Sequence, residues 1–68
     1  MKVELFLNGV PWHKEEWDCI PRVGDRIRIE DEDGIPFDGT VEDIVWIIDD
    51  RAKNRYIEVK INAHETVI

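Results

Sequence analysis

The stretch Val3-Glu4-Leu5-Phe6-Leu7-Asn8-Gly9-Val10-Pro11-Trp12 decides the fold class. Val3, Leu5 and Leu7 alternate with Lys2, Glu4 and Phe6, the two-residue period of a strand with one buried face. Asn8-Gly9 then supplies two residues that tolerate positive φ, which a type I′ turn demands at both central positions. A two-residue turn fixes the register of the second strand against the first. Leu7 faces Val10, Phe6 faces Pro11, Leu5 faces Trp12, Glu4 meets His13 and Lys2 meets Glu15. Pro11 has no N–H to give to a ladder, so the second strand is expected to lie unpaired along its outer side.

The same periods can be traced outward from the hairpin. His13 to Asp18 loses the alternation and reads as a helical turn or an irregular loop. In Arg26-Ile27-Arg28-Ile29-Glu30 the isoleucines point inward and the arginines outward. Glu30 to Gly39 is a polar loop whose apolar Ile35 and Phe37 are placed to pin it onto the barrel mouth. Thr40 to Ile48 is a central strand, apolar on both sides, with Ile44, Trp46 and Ile48 on one face. Val41 is out of phase with Ile44, which predicts a bulge near Glu42-Asp43. Asp49 to Asn54 reads as a turn, and Arg55 to Ile61 alternates again with Ile57, Val59 and Ile61 inward. The tail from Asn62 is expected to add a closing strand through Val67-Ile68. Short strands divided by turn signals, with no helical period, make residues 1–68 one all-β domain: a small five-stranded barrel, closed or nearly so.

Pro21-Arg22-Val23-Gly24-Asp25-Arg26-Ile27-Arg28-Ile29 resembles the entry to the second strand of SH3-like small barrels. The step Gly39-Thr40-Val41 into an apolar strand is similar to them as well. The resemblance spans residues 20–61 and implies an SH3-like fold, but no particular family and so no inherited site. The clustered tyrosines of a proline-peptide groove are missing, since Tyr56 is the one tyrosine.

Composition narrows function. The 68 residues carry 16 acids against 9 bases, a formal charge of −7, and residues 25–50 hold ten of those acids beside only Arg26 and Arg28. Such a field repels phosphate backbones and anionic membranes. The apolar run Ile44-Val45-Trp46-Ile47-Ile48 is far short of the roughly 20 residues that span a bilayer. Met1-Lys2-Val3-Glu4 lacks the features of a signal peptide, and Cys19 is a lone cysteine that reads as a buried, inert thiol. A cytoplasmic protein is expected.

The chemistry-bearing residues do not form a catalytic or metal pattern. In Glu30-Asp31-Glu32-Asp33-Gly34, Asp31 and Asp33 fall at calcium-ligand positions, but Ile29 and Thr40 stand where carboxylates are required. His13, Cys19 and His64 lack the spacing of a zinc site. The chain has no serine, and Cys19 has an acid, Asp18, rather than a base beside it. No enzyme, cofactor or metal is therefore expected. Arg26, Arg28, Arg51, Lys53 and Arg55 with Tyr56 or Trp17 outline a nucleic-acid surface, which the net charge opposes. The favoured expectation is a noncatalytic protein-interaction module or a small subunit of a larger assembly. Its partner would be a protein, including a second copy of itself. Contact would run along the outer edge of the second strand with Trp12 and Trp17, of which Trp17, set among charges, is the exposed anchor. Trp46, and with it Trp12, is expected in the core. The alternative is an acidic mimic of nucleic acid, with Asp31, Asp33, Asp49 and Asp50 among the carboxylates that stand in for phosphates.

Overall fold

The computed structural model describes residues 1–30, 33–34 and 36–65. Its strands are β1 (Lys2–Leu7), β2 (Val10–Glu16), β3 (Arg26–Glu30), β4 (Pro36–Asp49) and β5 (Asn54–Glu65). They form one sheet in the order β2-β1-β5-β4-β3, parallel between β1 and β5 and antiparallel elsewhere. The all-β, five-stranded fold read from the sequence is the fold that forms, and its curl ends at a half-barrel with β2 and β3 as the two edges.

The first hairpin turns at Asn8 and Gly9, with φ of 51° and 84°. Asn8 does more than tolerate the turn. Its side-chain amide donates to the Ala63 carbonyl and accepts from the Ala63 N–H, both at 2.9 Å, so it pairs with β5 as a backbone unit would. The expected register holds at Leu7–Val10 and Phe6–Pro11 and then shifts: Leu5 faces His13, Glu4 faces Lys14 and Lys2 faces Glu16. Trp12 is the inserted residue. A bulge beside Pro11 accommodates the missing donor, and the new register sets opposite charges across both outward pairs. β2 also runs on through His13 to Glu16 as strand, in place of the expected turn or loop.

The inner face is built by alternation. Val3 and Leu5 of β1, Ile29 of β3, Val41 of β4 and Ile57, Val59 and Ile61 of β5 form the buried cluster, each no more than 8% exposed. Beneath Val41 the predicted bulge is present, with Val41 opposite Ile61 and Asp43 opposite Lys60, leaving Glu42 as the extra residue. It returns Ile44 to the inner face opposite Val59. Gly39 is required by proximity: a Cβ there would lie 2.5 Å from Cγ2 of Ile61.

β2 and β3 lie at opposite edges, so the connection from Trp17 to Asp25 has to cross the sheet. It does so over the inner face, where Trp17 and Ile20 pack against the buried cluster. Backbone bonds moor its ends. The Trp17 N–H donates to the Met1 carbonyl, the Gly24 N–H donates to the Val41 carbonyl, and the Val41 N–H donates to the Asp25 carbonyl. Trp17 is therefore half-buried, correcting the expectation of an exposed anchor. The polar neighbours Asp18 and Cys19 are exposed on the other side of the crossing segment, and the thiol expected to be buried is at the surface. Phe37 packs on the core as a residue of β4, which begins at Pro36 inside the loop expected from Glu30 to Gly39, while Ile35 and Val67-Ile68 lie outside the described residues.

Candidate interaction surface

β4 is 14 residues long, whereas β3 covers it only from Pro36 to Thr40, and Gly24 and Asp25 extend that cover to Val41. From Glu42 to Asp49 the side of β4 away from β5 has no strand partner among the described residues. Three features show which backbone groups face that open side. Val41 spends both its N–H and its C=O on the β3 side, Ile44 N–H is capped by the Asp43 carboxylate at 2.9 Å, and Asp49 pairs with Asn54 to close the turn. With the ladder's alternation, these place the backbone groups of Ile44, Trp46 and Ile48 outward, and those of Val45 and Ile47 toward β5.

The inner-face cover also ends here. Trp17 and Ile20 lie over the seven buried residues, and the β4–β5 hairpin projects past them, in a molecule 47 Å long and 24 by 22 Å across. Trp46 and Ile48, on the same face as the core, are each 61% exposed. The sequence placed Trp46 in the core because the alternation assigns its face correctly; what it does not carry is how far along β4 the covering segment reaches. The most apolar run of the chain thus has an open edge and an open inner face at once. Val45 and Ile47 on the outer face are half-buried.

The hairpin tip is organised by Asp49, whose carboxylate accepts the N–H groups of Arg51 and Ala52 at 3.0 and 3.1 Å, and by Lys53 at a φ of 50°. Asp50 is exposed beside it. Asp33 is exposed in the turn between β3 and β4, at the far end of β4, and Asp31 lies outside the described residues. The 13 steps from Pro36 to Asp49 span about 43 Å at roughly 3.3 Å per residue, so Asp33 and the pair Asp49–Asp50 belong to opposite ends of the molecule. Trp12 is 37% exposed at the β2 bulge, its ring edge-on to His13 with centroids 4.1 Å apart. Trp17, by contrast, is half-buried against the core. Of the two tryptophans expected at a protein contact, Trp12 is exposed and Trp17 half-buried, while Trp46, expected in the interior, is exposed.

The outer face is a mixture of charges. Arg28 Nε lies 3.2 Å from Asp38 Oδ1, and the N-terminal ammonium lies 2.9 Å from Glu16 Oε1. Two open troughs run along it, one between Lys2, Glu4, Lys14, Glu16 and Tyr56, the other between Arg26, Arg28, Asp38, Thr40 and His64. Their walls carry both signs of charge. Among the described residues, no three His, Cys, Asp or Glu side chains converge as metal ligands would. No described helix is long and apolar enough to cross a membrane. No family model, curated protein or solved structure matches the chain.

Proposed function

We propose that the protein is a noncatalytic protein-interaction module, or a small subunit of a larger assembly, built on an SH3-like half-barrel and working in the cytoplasm. The observation that carries this reading is the exposure of Trp46 and Ile48 on the stretch of β4 whose side away from β5 has no strand partner among the described residues. Leaving a Trp and an Ile this open on a chain of 68 residues withholds apolar area that a small core needs. Burial against a partner recovers it, and Trp is enriched where binding energy concentrates. A lone exposed thiol at Cys19 suits a reducing compartment. The SH3-like assignment rests on the Pro21–Ile29 resemblance together with the curled five-stranded sheet.

The test is a photo-crosslinking residue at position 48 in the native host, followed by binding of the purified captured protein. Trp46→Ala is expected to weaken that binding about 30-fold or more, the cost of losing a central Trp. A captured protein that binds Trp46→Ala as tightly as the wild type contradicts the reading.

A further inference from the structure

We propose that Asn8 is a latent modification site: the fold holds it against deamidation, and opening of the β1–β5 junction releases it to an irreversible reaction. In asparagine followed by glycine the next main-chain nitrogen attacks the side-chain amide most readily, because glycine has no side chain to crowd that nitrogen. The surroundings are open as well. Asn8 is exposed, so water reaches it, and a Cβ built on Gly9 would meet nothing within 4 Å. Neither burial nor crowding withholds the reaction.

Hydrogen bonding does. The Asn8 N–H donates to the Ile61 carbonyl at 2.9 Å, which continues the parallel ladder of β1 on β5 past Leu7. The main chain then leaves the ladder at Gly9 and the side chain takes over. Oδ1 accepts the Ala63 N–H, as the main-chain carbonyl of residue 8 would in a continued parallel ladder, and Nδ2 donates to the Ala63 carbonyl. Ring closure requires Cγ of Asn8 to reach the nitrogen of Gly9. That movement turns the amide off Ala63 and breaks both bonds.

The reaction balances with water alone. The Gly9 nitrogen loses its proton and bonds to Cγ, the Cγ–Nδ2 bond breaks, and ammonia leaves with that proton. Water then opens the five-membered imide. Opening at Cγ leaves aspartate, and opening at the main-chain carbonyl carbon of residue 8 leaves isoaspartate, with the chain running through Cγ. Aspartate sets an acceptor against the Ala63 carbonyl where Nδ2 had donated, and isoaspartate lengthens the path of a two-residue turn. Neither product restores the pair with Ala63, so a chain that reacts while open does not close again in the same way.

The test is peptide mapping by mass spectrometry of the full chain at mildly alkaline pH, folded in buffer and unfolded in urea. The free peptide of residues 7–11 is followed in both solvents. The peptide is expected to deamidate at the rate of the unfolded chain, and the folded chain at least about tenfold more slowly, since two hydrogen bonds must break first. A folded chain that converts as fast as the peptide overturns the proposal. Asn8→Asp reproduces one product and is expected at neutral pH to raise the unfolding equilibrium constant at least about tenfold. Failure of that variant to fold is the same effect at its limit. A variant as stable as the wild type would show that the reacted chain closes again, and overturns the irreversibility.

Discussion

Gly39→Ala separates two opposite expectations. In a strand with room for a methyl group, replacing Gly by Ala stabilises by about 0.4–1 kcal/mol, because the unfolded chain loses freedom. Here the new Cβ would sit 2.5 Å from Ile61 Cγ2, more than about 1 Å inside the ordinary 3.5–4.0 Å carbon contact. Ile61 is 1% exposed and cannot swing away, so the sign reverses to a loss of about 1–3 kcal/mol. Ile61→Ala removes the offending methyl and costs about 2–5 kcal/mol on its own. The double variant should therefore be no less stable than Ile61→Ala alone, because the methyl group added at position 39 enters the space that the isoleucine vacates. Urea unfolding monitored by circular dichroism gives all four corners of the cycle. A stabilising osmolyte keeps a folded baseline for a domain whose core supplies only about 3–5 kcal/mol. A stabilised Gly39→Ala, or costs that simply add, would refute the packing of β4 on β5 at this point.

Asn8→Gly preserves a turn that favours positive φ but removes the two bonds to Ala63, and is expected to cost about 1–2 kcal/mol in urea unfolding. A neutral result would reduce Asn8 to a turn former. Trp17→Ala should lower the thermal midpoint more than Trp46→Ala does, since Trp17 packs on the core whereas Trp46 is 61% exposed. The reverse ranking would mean that the crossing segment does not cover the sheet. Arg28→Ala is expected to change stability by less than about 1 kcal/mol in dilute buffer, and by nothing measurable in about 1 M salt, because its pair with Asp38 is solvent-screened.

The presence of five strands, the inner faces of β1, β3, β4 and β5, and the Asn8-Gly9 turn were legible because period two and Asn-Gly are local signals, whereas the face of β2 past its bulge and the strand residues His13–Glu16 and Pro36–Gly39 were not. The bulge at Glu42 was legible for the same reason: Val41 and Ile44 cannot share a face without it. The bulge at Trp12 was not, since Pro11 permits one without demanding it and only the pairing partner shows the shift. The three tryptophans show the limit most plainly. Alternation gives the face of Trp46, but its exposure depends on where a segment far earlier in the chain crosses the sheet. The polar neighbours of Trp17 suggested exposure, yet the segment carrying it has to bridge two distant edges, and an aromatic ring is what it lays on the core. Of the acids close together in sequence, Asp33 and the pair Asp49–Asp50 are set at opposite ends of β4, with Asp38, Glu42 and Asp43 along the strand between them.

Amide hydrogen exchange resolved by NMR tests the open edge most directly. At a concentration where the chain is monomeric, Val45 and Ile47 should exchange slowly, held by β5, while Trp46 and Ile48 exchange fast. Uniform protection of all four amides in the monomer would mean that β4 already has a neighbour on its far side, and would contradict the account.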